Sequence, residues 1–264
     1  MTRSSEDPLL RERGSGSVVL TFNRPEKLNA MSTATLIALE AALEDAAADA
    51  EVRTVILTGA GQKAFVAGAD IGEYAEQDHE AFVAYQARSR RVFSAIDGFP
   101  KPVIGAVNGY ALGGGFEIAL CCDMLVASAN ARFGLPEGRL GLCPGGGGTQ
   151  RLTRAVGPFV AADVLLRARR LTADDAFRLG LVASVVDHPA AVLDAALAAA
   201  GEMAAIGPLA TAEMLRLIRT AMGPGLEDGL TAEQEALARL HRTEDAAEGI
   251  RAFVEKRDPR FRGA

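Results

Sequence analysis

Apolar positions fall into two kinds of segment along this chain, and the two kinds alternate. Short, nearly continuous apolar runs bounded by glycine, proline or asparagine are typical of buried strands. Such runs predict strands at residues 18–22, 52–58, 103–107, 125–127, 132–135 and 182–186. Between them, apolar residues recur at the three- and four-residue spacing of amphipathic helices. Because strands and helices alternate along the chain, the pattern predicts an α/β fold with a largely parallel sheet.

The helical segments carry start and stop signals. Ser32 precedes one periodic stretch and is predicted as its N-cap. Thr172 and Asp175 fit a capping box, and Gly180 fits the end of the same helix. Further helices are predicted around residues 82–96, 116–120, 149–156 and 159–168.

Two stretches lack a clear period, and the C-terminal part differs from the rest. Residues 1–17 predict a frayed tail, and residues 62–78 predict a loop that folds over something. The alanine-rich C-terminal part predicts three or four helices, which have too little mass to be an independent enzyme. We therefore divide the chain into an α/β core at residues 1–200 and a helical region at residues 201–264. The helical region is expected to pack on the core or on a neighbouring subunit.

Composition narrows the range of functions. With 264 residues, 49% hydrophobic and 23% charged, the chain has the make-up of a soluble globular protein. The formal net charge of −6 disfavours nucleic acid as a partner, although a local basic patch stays open. The N-terminal segment lacks the apolar region of a signal peptide, and no apolar stretch of about 18 residues occurs. We therefore expect a cytoplasmic protein without a membrane partner.

The cysteines and histidines indicate no metal site. Their spacing matches no common set of metal ligands, so the thiols are predicted to be packed and free. The histidines fit no catalytic arrangement. The residues concerned are Cys121, Cys122, Cys143, His79, His188 and His241.

Three glycine clusters invite a binding interpretation. Residues 113–115 join a predicted strand to a helix, whose first N–H groups are free to bind an anionic oxygen. Taken alone, this triplet is better explained as a tight turn. Residues 59–64 fit G-x-G-x-x-A superficially, but no helix follows to receive a pyrophosphate. Residues 145–149 lack the lysine of a P-loop and predict that a helix near Thr149 approaches the core closely.

Two glutamates stand out by context. Glu117 lies in the first turn of the helix after the glycine triplet, and Glu137 lies in a Pro-Glu-Gly turn. For a single glutamate near a helix start, interaction with the helix dipole is the commoner explanation. Each glutamate alone could be an ordinary surface acid.

Five motifs in order and spacing resemble the crotonase family, whose members include enoyl-CoA hydratases and isomerases. The motifs are Asn-Arg-Pro at 23–25, Ala-Gly-Ala-Asp-Ile at 67–71, Asn-Gly-Tyr-Ala-Leu-Gly-Gly-Gly-Phe-Glu at 108–117, Phe-Gly-Leu-Pro-Glu at 133–137 and Pro-Gly-Gly-Gly-Gly-Thr-Gln-Arg-Leu at 144–152. The resemblance runs from about residue 17 to the end and is closest to the hydratases. It implies a spiral of ββα units with a helical C-terminal region that forms trimers, often paired into hexamers.

The resemblance also implies a site. The main-chain N–H groups of Ala69 and Gly114 would form an oxyanion hole for a thioester carbonyl, and Glu117 and Glu137 match the two hydratase glutamates. Positions expected to contact the CoA ester are Ala67, Ala69, Asp70, Ile71, Gly114, Phe253 and Lys256. Lys256 is explained equally well as a partner of a helix C-terminus. Gly72 stands where many hydratases carry a charged residue, which puts one CoA contact in doubt.

The resemblance therefore predicts reversible hydration of trans-2-enoyl-CoA to 3-hydroxyacyl-CoA without a metal or redox cofactor. The acyl-CoA thioester is the expected partner, together with other copies of the chain in a homotrimer or a dimer of trimers. One alternative is an enoyl-CoA isomerase of the same family, which needs one carboxylate. Another is a non-catalytic acyl-CoA-binding member. The presence of both glutamates favours the hydratase.

Overall fold

The computed structural model describes residues 7–75, 78–223 and 225–264. The strands are β1 Leu9–Arg13, β2 Ser17–Phe22, β3 Thr54–Gly59, β4 Ala64–Val66, β5 Val103–Val107, β6 Tyr110–Leu112, β7 Met124–Ser128, β8 Arg132–Gly134, β9 Leu171–Thr172 and β10 Ser184–Val186. The α-helices are α1 Thr33–Ala48, α2 Ile71–Ala75, α3 His79–Asp97, α4 Gly114–Cys121, α5 Gly148–Leu166, α6 Ala173–Arg178, α7 Val192–Ala204, α8 Pro208–Thr220, α9 Leu226–Leu240 and α10 Glu244–Glu255. Short 3₁₀ turns lie at Pro25–Lys27, Glu137–Leu140 and Pro189–Ala191.

The strands form two sheets, and the chain passes repeatedly from one sheet to the other. The larger sheet has the order β1-β2-β3-β5-β7-β10, and the smaller has the order β4-β6-β8-β9. In the larger sheet β1 and β2 are antiparallel and the other described pairs are parallel. In the smaller sheet β4, β6 and β8 are parallel to one another. Each of β3, β5 and β7 is followed by a strand of the smaller sheet, and helices follow β4 and β6. This repetition of strand, strand and helix is a spiral of ββα units, and it confirms the predicted α/β class.

The larger sheet is buried on both faces, which explains its nearly continuous apolar strands. Val55 and Leu57 of β3 pack into the main core, which also takes the inner faces of α1, α3 and α4. Ile56 between them points to the opposite face, where it packs with Val192 and Ala196 of α7. The larger sheet thus lies between α1, α3 and α4 on one face and α7 on the other.

The predicted starts of two helices are confirmed by local interactions. The Ser32 side chain accepts a hydrogen bond from the Thr35 N–H at 3.2 Å, as expected of an N-cap. Thr172 and Asp175 form the predicted capping box. The two helices predicted at 149–156 and 159–168 are the two parts of α5, which is broken at Gly157, where φ is 79°.

Four strands did not follow from the apolar pattern: β1, β4, β6 and the two-residue β9. The frayed-tail prediction is wrong for Leu9–Arg13, which is the edge strand β1, while residues 1–6 lie outside the described part. Only Leu9 of this strand is buried, so it carries no apolar alternation. The predicted loop at 62–78 contains β4 and α2, and residues 76–77 of it are not described. Strands β4 and β6 have three residues each, too few to display a period.

The C-terminal part is helical beyond residue 190, as predicted, and comprises α7 to α10. Within the described residues no single helix is both long and apolar enough to cross a membrane. One pair meets the length and composition criteria together, Pro189–Ala204 with Pro208–Thr220, and it is bent by 110°.

The start of α4 depends on a close approach that tolerates only glycine. A Cβ added at Gly115 would lie 1.9 Å from the carbonyl oxygen of Val66 in β4. Because that oxygen belongs to the backbone, Gly115→Ala should lower the free energy of unfolding by about 1–3 kcal/mol or more. Thermal and urea unfolding at matched protein concentration measure the change.

Gly201→Ala is the matched control for this prediction. Gly201 lies inside α7, where an added Cβ meets no atom within 4 Å. Alanine is the better helix former, so this variant should gain about 0.5–1 kcal/mol of stability. Equal stability of the two variants would contradict the tight packing of α4 on β4.

Candidate active site

A cavity of about 420 Å³ lies between the N-terminal end of α4, helix α3 and the loops before α2 and α5. Its wall is largely apolar, but it includes main-chain and carboxyl groups of the predicted site. These groups belong to Ala69, Gly114, Glu117 and Glu137. Two larger open grooves, of about 800 and 770 Å³, are lined by none of the predicted site residues.

The N–H group of Ala69 is left free by the way its neighbours pair. Met31 and Ala69 form a parallel β-bridge, in which the Met31 N–H donates to Gly68 and the Asp70 N–H donates to Met31, each at 2.8 Å. The bridge uses the carbonyl of Gly68 and the N–H of Asp70, which flank Ala69. The N–H of Ala69 itself therefore points away from Met31. The described residues offer that N–H no acceptor.

The N–H group of Gly114 has no acceptor in the part of the chain that the structure describes, because it begins a helix. The first N–H groups of an α-helix have no partner in a preceding turn. The N–H of Gly113 is satisfied instead by the carbonyl of Gly134 at 2.8 Å. A Cβ added at Gly113 would lie 3.7 Å from the Cα of Gly68, so the two loops that carry the free amides are in close contact.

Glu117 is a buried carboxylate with main-chain partners. The residue is 4% exposed, and its Oε1 accepts hydrogen bonds from the N–H groups of Gly146 and Gly148, both at 2.8 Å. Burial raises the pKa of Glu117, while these two hydrogen bonds and the charge of Arg151 partly offset the rise. The carboxyl group is therefore fixed in one orientation by the start of α5.

Glu137 occupies a different environment. It begins the 3₁₀ turn after Pro136, and its Oε1 lies 3.1 Å from the position of a Cβ added at Gly113. Its Oε2 is buried and has no hydrogen-bond partner in the part of the chain that the structure describes. Burial raises the pKa of Glu137 to about 7, and the negative charge of Glu117 adds to the rise. A large fraction of Glu137 is therefore protonated near neutral pH.

Of the other residues predicted to contact the CoA ester in the loop before α2, two line the cavity and one does not. Ala67 and Ile71 line the cavity beside Ala69. Asp70 does not, because its carboxylate accepts hydrogen bonds from Arg24 at 2.8 Å and Lys27 at 3.1 Å. Burial alone would raise the pKa of Asp70, but these two cations outweigh it and lower the pKa. The first two sequence motifs are thus joined by an ion pair, and the expected CoA contact of Asp70 stays a prediction.

The two C-terminal residues lie apart from the cavity. Phe253 is 86% exposed near the end of α10, and Lys256 caps that helix in a left-handed conformation with φ of 54°. Neither residue lines the cavity of the described chain. A contact with CoA through an adjacent subunit, which the resemblance implies, stays a prediction.

Sequence reasoning missed the residues that hold Glu117. Gly146 and Gly148 belong to a run for which only close packing was predicted, yet their N–H groups are the partners of the carboxylate. The available signal was the position of this run at a helix start, which is the arrangement that binds anions. Packing is also tight, since a Cβ added at Gly146 would lie 2.2 Å from the Phe93 ring.

Two free main-chain N–H groups beside two carboxyl groups in unlike environments suit an enzyme that stabilises an oxyanion while protons move. Comparison with known proteins also indicates an enzyme. The family described as Enoyl-CoA hydratase/isomerase matches residues 12–264 of this chain. The chain therefore belongs to the enoyl-CoA hydratase/isomerase family.

Individual relatives match almost end to end. The short-chain-enoyl-CoA hydratase of Clostridium acetobutylicum is 42% identical over 249 residues, which cover 94% of this chain and 95% of that protein. The crotonyl-CoA hydratase of Syntrophomonas wolfei is 40% identical over 257 residues, covering 96% and 97%. A solved structure of an enoyl-CoA hydratase from Bacillus anthracis has a TM-score of 0.94 at 36% identity, covering 97% of this chain and 100% of that one. These matches confirm the family, the crotonase-type fold and the assignment of the chain as an enzyme of the enoyl-CoA hydratase type.

The three free thiols differ in exposure. Cys121 is buried and Cys122 is half-buried, whereas Cys143 is exposed and lines the cavity, so the prediction of packed thiols is wrong for Cys143. Burial raises the pKa of Cys121 to about 12 and also raises that of Cys122.

A thiol reagent should therefore modify one cysteine rapidly in the native protein and all three after denaturation, since exposed thiols react first. A colorimetric thiol assay with and without denaturant gives the counts. Cys143→Ser should remove the rapid phase, and a rapid phase that survives this change would contradict the described burial.

Proposed function

We propose that this chain catalyses the reversible hydration of trans-2-enoyl-CoA thioesters to 3-hydroxyacyl-CoA, with no metal or redox cofactor. One observation carries the proposal: two carboxyl groups with different hydrogen-bond partners share a cavity with two main-chain N–H groups that have no acceptor among the described residues. CoA enters as part of the substrate. The hydratase names of the relatives support this reaction.

The free amides account for activation of the thioester. In the proposed complex, the N–H groups of Ala69 and Gly114 donate to the thioester carbonyl oxygen, which gains negative charge as the enolate forms. A donor of this kind contributes about 2.7–4 kcal/mol to transition-state stabilisation. The Met31 bridge and helix α4 fix both amides before substrate binds, so little reorganisation is needed.

The two carboxyl groups account for the transfer of water. Glu117, as the carboxylate, accepts a proton from the water whose oxygen attacks C3, while Gly146 and Gly148 hold its Oε1. Glu137, as the acid, donates its proton to C2 of the enolate. The hydroxyl group is thereby added to C3 and a proton to C2. Transfer of one proton from Glu117 to Glu137 then returns both carboxyl groups to their starting protonation states. Each such group contributes roughly 10²–10⁴-fold in rate.

The proposal extends to assembly and location. Helices α8 to α10 carry large apolar side chains that are exposed in the single chain, as a subunit interface requires. They include Ile218, Leu226, Leu237, Phe253 and Val254, which are 67–86% exposed. We propose a homotrimer or a dimer of trimers, located in the cytoplasm.

An isomerase of the same family is the second candidate, and the family description names both activities. An isomerase needs one carboxylate, so it gives no reason for the two hydrogen bonds that fix Glu117. Loss of the enoyl-thioester ultraviolet absorbance across short, long, branched and aromatic 2-enoyl-CoAs tests the hydratase directly. Conversion of 3-enoyl-CoA without hydration of any 2-enoyl-CoA would favour the isomerase, and no turnover of either would favour a binding protein.

Glu137→Gln should lower kcat for crotonyl-CoA hydration by about 10²–10⁴-fold, because the amide has the same shape but no acidic proton. Binding of the 3-hydroxybutyryl-CoA product, measured by calorimetry, should change little. Glu80→Gln, at an exposed position in the first turn of α3, is the control with full activity. Normal turnover by Glu137→Gln would end its assignment as the acid.

The pH profile of hydration should be bell-shaped. The pKa of Glu137 is raised to about 7, so the proton-donating form is present below that pH and is lost as pH rises through it. On the acid side, protonation of Glu117 removes the base. Measurement of kcat/KM for crotonyl-CoA between pH 5 and pH 9 should therefore show an alkaline limb at about pH 7. A profile that keeps rising to pH 9 would contradict Glu137 as the proton donor.

A further inference from the structure

The glycine run before α5 has no side chains of its own to hold it in place. Residues 145–148 are all glycine, and Gly147 adopts a left-handed conformation with φ of 104°. Glycine loses the most conformational freedom on ordering, so such a segment needs an external restraint to stay in one geometry. The position of the loop matters because Gly146 and Gly148 are the two donors to Glu117.

Arg151 provides that restraint. It lies in the first turn of α5, and its guanidinium donates from Nη1 to the carbonyl of Gly146 at 2.8 Å. Its Nη2 donates to Asp97 Oδ2 at 3.0 Å, which anchors the guanidinium to the end of α3. A Cβ added at Gly147 would lie 2.1 Å from Nη1, so the guanidinium packs directly on the loop.

Gly146 links the guanidinium to the carboxylate. The same residue accepts a hydrogen bond from Arg151 through its carbonyl and donates one to Glu117 through its N–H. Arg151 is absent from the cavity wall, so it acts on the site through the loop and through its charge.

The other ionisable groups around Glu117 do not supply this stabilisation. Glu137 faces it from the 3₁₀ turn with a like charge, and Cys121 lies on its own helix. Tyr85 of α3 lines the cavity and donates its hydroxyl to the Met31 carbonyl. Among the described residues that act on Glu117 electrostatically, Arg151 is the cation.

We propose that Arg151 is a positioning residue, which clamps the Gly145–Gly148 loop to Asp97 and so keeps Glu117 oriented and ionised as the base. The inference rests on the proposed hydratase reaction. It assigns a role to the Gln-Arg-Leu segment of the fifth sequence motif, which no step of that reaction uses. It also predicts a pH signature that a purely structural arginine would not show.

Arg151→Gln should lower kcat for crotonyl-CoA roughly 10- to 100-fold, the range expected for loss of a charged hydrogen-bond partner. KM should change little, because the side chain lies outside the cavity. The acid limb of the pH profile should move to higher pH. Removal of the cation and loosening of the two N–H donors both favour protonated Glu117.

Three further variants separate charge, anchoring and general effects. Arg151→Lys keeps the charge but has no planar fork to bridge Gly146 and Asp97, so kcat should be intermediate and the acid limb close to that of the wild type. Asp97→Asn should shift the acid limb in the same direction as Arg151→Gln, by less. Arg154→Gln, one turn further along α5, where the arginine hydrogen-bonds to Gln150, should match the wild type.

The readouts are kcat, KM and the acid limb of the pH profile, with thermal unfolding to confirm that each variant is folded. An acid limb that stays in place in both Arg151→Gln and Asp97→Asn would overturn the inference while leaving the hydratase assignment intact. If Arg151→Gln does not fold, Asp97→Asn and Arg151→Lys decide, and a wild-type acid limb in Asp97→Asn together with a wild-type kcat in Arg151→Lys overturns it. If the wild type hydrates no enoyl-CoA, the proposed function fails and the inference falls with it.

Discussion

The site depends on one buried interaction, in which the carboxylate of Glu117 receives the N–H groups of Gly146 and Gly148. An ionised carboxylate removed from water is costly unless hydrogen bonds replace its hydration. Side-chain donors would need space that the α4–α5 contact does not leave, whereas main-chain donors of a glycine run fit. Arg151 then restrains the run from behind. The glycines before α5 therefore serve charge stabilisation as well as close packing.

Main-chain N–H groups also provide the donors on the other side of the cavity. The smaller sheet brings β4 beside β6, and the ends of these strands lead into the loop before α2 and the start of α4. Each loop presents one N–H group that secondary structure leaves unused, at Ala69 and at Gly114. A main-chain donor can come from any residue type, but its position must be fixed. The Arg24–Asp70 ion pair helps to fix it, because it connects the loop that carries Ala69 to the motif at residues 23–25.

The two carboxyl groups differ because their surroundings differ. Burial raises the pKa of Glu117, but its main-chain donors and a cation favour the charged form and partly offset that rise. Glu137 has a buried oxygen that finds no partner among the described residues, and a like charge nearby; both favour its neutral form. A base and an acid of the same residue type can therefore coexist at one pH, as proton transfer in both directions across a double bond requires.

The sequence by itself determined what local interactions and motif spacing encode. Buried parallel strands are apolar over their whole length, and the caps at Ser32 and Thr172 use partners three residues away, so all of these were readable. Five motifs in register identified the family. The tertiary structure decided which groups meet across long stretches of chain: β1, β4 and β6 exist through pairing, and Glu117 finds its donors 29 and 31 residues away. No local pattern encodes such contacts, because a main-chain N–H is the same in every glycine and its partner is chosen only when the helices pack.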